Sequence, residues 1–338
     1  PFEFFHKVFQ MGWVVNSSVS ILLFVVCLSF IGQQWNARGG LFDPLPEVPA
    51  INPDGEGAMA VVTGGAAGLG LEMVKGLYKL KYKIVVGCRD VKKGEAAISR
   101  IVEEGEGGEI EVKHLDLSSL QSVRTFAASI ETDNLKILIN NAGIWASQQI
   151  TEDGIGKTAQ VNHYGGFLLC NLLYPLMREG GRIVLVSSAM AREAVSFLAD
   201  PLLLDKEMYF SPRGGKLYGT SKLMNILHCQ GFAKRAKRDI TCASVHPGII
   251  KTNLHREEND QSGWVREYIL PLVWGLIGIS PEQGAKSSLM LATTAHPSGR
   301  YYHGASPQDP PNELCEDLEL ENFLWDKSVE LTKSDLQQ

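Results

Sequence analysis

The chain has 338 residues, of which 44% are apolar, so it is long enough for one large domain with a full core and an appendage. Its formal net charge of −6 provides no global basic field, which argues against a nucleic-acid partner. The 6 cysteines are scattered, with no C-x-x-C pair and no histidine cluster at metal spacing. This argues against a structural zinc and favours a reducing compartment for the main domain.

An uncharged apolar run at residues 14–31 is flanked by Trp13 and Trp35. Its length is at the short end of the range for a membrane-spanning helix, and tryptophan is enriched where such helices meet the interface. We therefore expect residues 1–35 to form an N-terminal membrane helix that anchors the chain. A cleaved signal peptide and a helix that packs against a partner are the alternatives.

The flanks of this run leave its orientation undecided, because Lys7 precedes it and Arg38 follows it. Residues 36–57 contain 4 prolines and several glycines and are predicted to be an extended linker. The remaining residues, 58–338, are predicted to form the main domain.

Apolar runs and helical patterns alternate from residue 58 onward. This alternation predicts an α/β fold with a single doubly wound parallel sheet and helices on both faces. Functional groups are then expected beyond the carboxyl ends of the strands. The predicted strands are 59–63, 83–87, 110–115, 136–139, 182–187 and 241–245, and the predicted helices are 69–80, 91–104, 119–131, 157–178, 215–238 and 281–295.

A glycine-rich turn joins the first predicted strand to the first predicted helix, with the spacing T-G-x-x-x-G-x-G. The first glycine turns the chain, the second lets the backbone approach a pyrophosphate, and the third lets the helix pack on the strand. The helix N-terminus then offers N–H groups and a positive dipole end to phosphates. Thr63, Gly64, Gly68, Leu69 and Gly70 are therefore predicted to bind a dinucleotide.

Tyr218 and Lys222 are four residues apart, which places them on one face of a helix. A phenol titrates near about pH 10, and a neighbouring ammonium favours the phenolate. Tyr218 is therefore a candidate general acid/base. The Y-x-x-x-K pattern is weak alone, and its occurrence downstream of the glycine-rich turn gives it weight.

Two further polar motifs end predicted strands. The run N-N-A-G at 140–143 closes the strand that ends at residue 139, and Ser187 and Ser188 close the next one. Residues 189–217 then separate Ser188 from Tyr218 and are expected to form an excursion beside the site.

The segment 253–280 also departs from the simple alternation. It contains the uncharged apolar run 269–279, which is too short to span a bilayer. The run is either a helix packed in the core or a lid over an apolar substrate that dips into the membrane interface.

Taken together in this order, the motifs resemble the short-chain dehydrogenase/reductase family, over residues 58–335, and imply its Rossmann fold. Four segments are similar to the membrane-bound retinol dehydrogenase/retinal reductase branch, and a polyprenol dehydrogenase branch is also similar. These segments are 87–95, 161–164, 244–248 and 324–328.

The resemblance implies four catalytic residues. Tyr218 donates a proton to a carbonyl oxygen during reduction, or accepts one from an alcohol, and Lys222 holds the nicotinamide ribose and lowers the pKa of the tyrosine. Ser188 hydrogen-bonds the substrate oxygen, and Asn162 holds a water that relays protons to the lysine. The nicotinamide carries the hydride. Gly166 departs from the pattern, because related sequences often carry histidine there.

The resemblance also assigns residues to the cofactor. Besides the glycine-rich turn, Tyr218 and Lys222, it implies contacts to the adenine, the floor of the pocket and the nicotinamide carboxamide. In that order the residues are Asp116; Asn140 and Gly143; and Pro247, Gly248 and Thr252.

The choice between the two nicotinamide cofactors depends on Arg89, which follows the second strand. An NAD-preferring enzyme places a carboxylate at the position of Cys88, whereas Arg89 can pair with a 2′-phosphate. NADP(H) is therefore expected, although the neighbouring Asp90 carries the opposite charge.

The resemblance implies an NADP(H)-preferring oxidoreductase that interconverts an apolar alcohol, retinoid-like or another lipid, with its aldehyde or ketone. We also expect anchorage in a membrane, that of the endoplasmic reticulum with the catalytic domain facing the cytosol or that of another organelle, and either a homo-oligomer or a membrane complex is compatible with the sequence. The alternatives are a non-catalytic dinucleotide-binding subunit of a membrane assembly and a soluble enzyme secreted after signal cleavage.

Overall fold

The computed structural model describes residues 57–103, 105–145, 149–203, 215–248, 250, 279–304 and 306–336, all of which belong to one compact unit. The predicted membrane helix, almost all of the linker, Thr252 and the apolar run up to residue 278 lie outside these ranges. Among the described residues, no helix has both the length and the apolar character needed to cross a membrane.

The described strands form one sheet with the order β3-β2-β1-β4-β5-β6-β7-β8. Neighbouring strands are parallel except for β7 and β8. The winding direction reverses between β1 and β4, and a sheet of this kind binds ligands at that point. The strands are β1 Met59–Thr63, β2 Lys83–Cys88, β3 Glu109–His114, β4 Leu135–Asn140, β5 Met177–Val186, β6 Ile240–His246, β7 Arg300–His303 and β8 Ser306–Pro307.

Helices connect the strands and cover both faces of the sheet. They are α1 Gly68–Lys79, α2 Val91–Glu103, α3 Leu120–Ala128, α4 Lys157–Ala159, α5 Gly165–Leu173, α6 Gly215–Arg235, α7 Pro281–Thr293 and α8 Leu318–Thr332. A π-helical turn, Gln160–Tyr164, joins α4 to α5, and 3-10 turns lie at Tyr174–Leu176, Ala189–Glu193 and Glu313–Glu316.

Two apolar cores hold the sheet, one on each face. Val62 and Val184 pack with residues of α1, α2 and α7. Leu138 and Leu185 pack with residues of α3, α5 and α6 on the opposite face. Central strands that are buried on both faces read as continuous apolar runs, which is the pattern on which the prediction relied. The doubly wound parallel sheet is therefore confirmed.

Several elements differ from the prediction. The helix predicted for 157–178 contains the π-helical turn and ends at Leu173, because Pro175 has no N–H with which to continue the α-helical hydrogen bonds. Strand β5 accordingly begins at Met177 rather than at residue 182. The short strands β7 and β8 and the helix α8 were not predicted at all.

Candidate active site

The glycine-rich turn has the geometry that a phosphate-binding loop needs. Gly64 has a φ of +66°, which favours glycine, and a Cβ on Gly70 would overlap the carbonyl oxygen of Gly64. Within the described residues, α1 begins after Ala67 without a side-chain cap and without an acidic residue in its first turn. The N–H groups of that turn are thus directed at a site that fits an anionic group.

A seam of hydrogen bonds joins the ends of β1 and β4. The Thr63 hydroxyl, fully buried, accepts from the N–H groups of Asn141 at 3.1 Å and Ala142 at 3.0 Å. The Asn141 amide donates to the carbonyl oxygens of Thr63 at 2.9 Å and Gly64 at 3.3 Å. Thr63 therefore shapes the loop. Asn141 was not singled out from the sequence, although it lies in the N-N-A-G run.

Asn140 ties β4 to α5. Its amide nitrogen donates to the carbonyl oxygen of Gly166 at 3.1 Å and lies 3.2 Å from the sulfur of Cys170. A Cβ at position 166 would lie 3.2 Å from this nitrogen, so the departure at Gly166 allows the close approach of Asn140. A part for Asn140 in cofactor binding stays a prediction.

The residues predicted to contact the adenosine part of the cofactor follow strands β2 and β3. Arg89 is exposed after β2. Asp90 accepts from the Lys93 N–H at 3.1 Å at the start of α2. One carboxylate oxygen of Asp116 accepts from the Ser118 N–H at 2.8 Å and from the Ser118 hydroxyl at 2.6 Å. These contacts fix the loops, and the roles of Arg89 and Asp116 stay predictions.

Helix α6 brings Tyr218 to the end of β5. The phenol of Tyr218 lies beside Ser188, whose side chain acts to lower the pKa of the phenol. The neighbouring Ser187 is used differently, because its hydroxyl donates to the carbonyl oxygen of Lys222 at 2.8 Å. Of the two adjacent serines, the structure thus directs Ser188 to the tyrosine and Ser187 to the helix backbone.

Lys222 lies one turn beyond Tyr218 and is 3% exposed. Its ammonium donates to the carbonyl oxygen of Val186 at 3.0 Å and lies 5.5 Å from the centre of the Tyr218 ring. Burial lowers the pKa of Lys222 to about 8 and raises the pKa of Tyr218, because burial disfavours the charged form of each. The lowering effect on the tyrosine pKa comes from Ser188 rather than from the lysine, and burial exceeds it.

Asn162 lies in the π-helical turn and holds two segments together. Its side-chain oxygen accepts from the Ile144 N–H at 2.8 Å, and its nitrogen donates to the Ile144 carbonyl at 3.0 Å and to the Ser221 hydroxyl at 2.9 Å. A Cβ on Gly143 would lie 3.2 Å from both the Asn162 oxygen and the Lys222 nitrogen. Asn162, Gly143 and Lys222 therefore lie together, and the water relay stays a prediction.

Pro247 and Gly248 follow β6 at the same edge of the sheet. The residue before them, His246, was not singled out from the sequence. It is 5% exposed, its ring stacks on His303 with centroids 5.1 Å apart, and among the described residues neither ring nitrogen has a hydrogen-bond partner. Burial lowers the pKa of His246 to about 3.

The carboxyl ends of β1, β4, β5 and β6 thus carry the phosphate loop, Gly143, Ser188 and the Pro247-Gly248 segment along one edge, with Tyr218 and Lys222 above Ser188. A dinucleotide laid along this edge would meet anion-binding backbone at β1 and a buried proton donor at β5. This fold and this site define a nicotinamide-dependent oxidoreductase.

Known proteins are similar to this chain in sequence. The family model for short chain dehydrogenase matches residues 58–199. Retinol dehydrogenase 13 from Homo sapiens is 34% identical over 284 residues, which cover 81% of this chain and 84% of the relative. Short-chain dehydrogenase TIC 32 A, chloroplastic, from Brassica napus is 33% identical over 300 residues, which cover 83% of this chain and 90% of the relative. The chain belongs to the short-chain dehydrogenase/reductase family.

A solved structure has a similar fold. The crystal structure of an uncharacterized protein from Mycobacterium paratuberculosis has a TM-score of 0.65 and 26% identity, covering 87% of this chain and 98% of that chain. The similarity to retinol dehydrogenase 13 confirms the resemblance to the retinol dehydrogenase branch. The chain is thus an oxidoreductase of alcohols and carbonyls in a family that binds a nicotinamide dinucleotide.

Proposed function

We propose that this protein is an NADP(H)-preferring oxidoreductase that interconverts an apolar alcohol with its aldehyde or ketone. The observation that carries the proposal is the grouping of Tyr218 with Ser188, with the Lys222 ammonium 5.5 Å from the tyrosine ring. A dinucleotide-binding scaffold without catalysis would have no need of this buried set.

The residues divide the chemistry among themselves. Tyr218 donates its proton to the carbonyl oxygen during reduction, and Ser188 hydrogen-bonds the same oxygen as negative charge develops on it. Lys222 has three N–H donors, of which Val186 takes one, so the others are available to ribose hydroxyls. A bound nicotinamide supplies or accepts the hydride.

The preference for NADP(H) rests on Arg89. It is exposed directly after β2, where a guanidinium can pair with a 2′-phosphate, and the position of the usual discriminating carboxylate is occupied by Cys88. Asp90 is engaged by the first turn of α2, which directs part of its charge away from the pocket.

The apolar substrate and the membrane location rest on the relatives and on the N-terminal sequence. Several relatives carry the name retinol dehydrogenase, which denotes an apolar alcohol. Residues 14–31 provide an uncharged segment of spanning length.

Extraction with alkaline carbonate should strip a chain that lacks residues 1–35 from membranes but not the full chain. Equal extraction of both would refute the anchor.

The replacement Tyr218→Phe tests the function. We expect turnover of retinoid and long-chain aldehydes with NADPH to fall at least about a hundredfold, because a positioned proton donor is lost, while NADPH binding is retained. Tyr174→Phe is the matched control, since the Tyr174 hydroxyl only accepts from the N–H groups of Lys237 and Arg238. Wild-type turnover in Tyr218→Phe, or no turnover of any carbonyl by the wild type, would contradict the proposal.

A further inference from the structure

The indole of Trp145 lies on the ring of Tyr218. The ring centroids are 4.4 Å apart and the planes meet at 28°, which is a stacked arrangement. Trp145 is half-buried in the loop after β4, just beyond the N-N-A-G run. Neither the motifs nor the function proposed above assign it a role.

The position of Trp145 is set by Asn162. The side chain of Asn162 clamps both backbone groups of Ile144, the residue before the tryptophan, at 2.8 and 3.0 Å. The same side chain bonds Ser221, whose hydroxyl donates to the carbonyl oxygen of Tyr218 at 2.7 Å. A closed circuit of contacts therefore fixes the tryptophan relative to the tyrosine on which it stacks.

The contact of the Trp145 indole with Tyr218 differs from the contacts that Ser188 and Lys222 make with it. Ser188, at the end of β5, meets the hydroxyl, and Lys222, on the same helix, is the charged group that faces the ring among the described residues. Among the described residues, Trp145 is the side chain that stacks on the Tyr218 ring. Its removal would uncover part of that ring face and leave the ring freer to turn about its bond to the helix.

We propose that Trp145 is a positioning residue for proton transfer at Tyr218: its indole holds the phenol at one angle to Ser188 and keeps water from one ring face. The inference rests on the proposed function, since that function makes Tyr218 the acid/base.

The proposal has a consequence for titration. Burial is the largest cause that raises the pKa of Tyr218, and the indole supplies part of that burial. Truncation of the indole should hydrate the phenolate and lower this pKa. The pH limb that reports Tyr218 should then move to lower pH in both reaction directions, because the same proton is donated in reduction and accepted in oxidation.

The experiment compares Trp145→Ala with Trp145→Phe in the full chain. We expect Trp145→Ala to lose about ten- to a hundredfold in kcat through misplacement of the phenol, with a smaller change in KM for NADPH. The limb of its pH–rate profile that reports the Tyr218 pKa should move to lower pH by about one unit. Trp145→Phe keeps a stacked ring and should stay near wild type in both respects.

A direct titration separates this inference from the proposed function. The ionisation of Tyr218, followed by tyrosinate absorbance and assigned by its loss in Tyr218→Phe, requires no substrate. A lower pKa in Trp145→Ala supports the inference even if no alcohol is oxidised, which would contradict only the function.

Trp325 provides the matched control, because it meets Phe167 edge-on and lies under the guanidinium of Arg235 in another part of the molecule. Trp325→Ala should lower the melting temperature and leave the Tyr218 titration unchanged. An unmoved pKa in Trp145→Ala, or equal losses in the alanine and phenylalanine variants with equal destabilisation, would overturn the inference.

Discussion

At the scale of single residues, burial favours the neutral form of both ionisable groups of the site. It raises the pKa of Tyr218 and lowers that of Lys222 to about 8, so both side chains are biased toward their neutral forms. A phenol that holds its proton is suited to donate it when negative charge develops on a carbonyl oxygen. Burial thus keeps Tyr218 in the protonated form that the proposed reduction requires.

Arg89→Ala tests the choice of cofactor at this scale. We expect KM for NADPH to rise much more than KM for NADH, because only NADPH loses a charge-assisted contact to its 2′-phosphate. Adding Cys88→Asp should shift the preference further, since a carboxylate repels the phosphate and binds the ribose hydroxyls. Steady-state kinetics with both cofactors measure this, and equal effects on the two would show that Arg89 is not the discriminator.

The sequence predicted the residues whose spacing is local and failed for those whose task depends on distant contacts. Tyr218 and Lys222 share a helix face, and the glycines follow one another within a single turn. Asn141 instead bonds residues that are 78 and 77 positions away. Trp145 acquires its role only where α6 passes over the end of β4. The periodicity of a sequence carries no information about such long-range contacts.

At the scale of elements, α8 is held to α6 by a buried carboxylate. Glu321, 2% exposed, pairs with Lys234 and with Arg235, the latter at 2.6 Å. Trp325 on the same helix lies under the guanidinium of Arg235 at 4.6 Å. The mixed composition of residues 318–332 concealed this helix, although Asp317 caps its start.

Two substitutions on α8 separate the buried pair from a surface pair. Glu321→Gln should destabilise the fold by about 1–3 kcal/mol, a range discounted because Lys234 and Arg235 stay partly exposed to water. Glu330→Gln, which breaks an exposed pair with Lys327, should cost at most about 1 kcal/mol. Urea unfolding gives both values, and equal costs would mean that Glu321 does not hold the helix.

At the scale of the whole molecule, the three histidines that are buried among the described residues make the fold sensitive to acid. Burial lowers the pKa of His163 and brings those of His228 and His246 to about 3. In the unfolded chain each titrates near about 6.5. The unfolded state therefore binds more protons between these values, so the stabilisation is complete above about pH 6.5 and is lost as the pH falls below it.

His228→Phe should reduce this acid sensitivity, because the phenyl ring can keep the contacts to Phe167 and Trp325 without binding a proton. The slope of unfolding free energy against pH below about 6.5 should decrease by up to about 1.4 kcal/mol per pH unit. Parallel slopes for wild type and His228→Phe would contradict the assignment.

The seam between Thr63 and Asn141 bears on how the chain reaches its folded state. The glycine-rich loop takes its shape from a segment 78 residues further along, so it cannot reach its final conformation while the first strands fold alone. Closing so long a loop is slow, because entropy is lost before the contacts form. A dinucleotide that bridges both sides of the seam would bind only the docked state. By mass action it would then draw the two halves of the sheet together, and the cofactor would assist the folding of the domain that uses it.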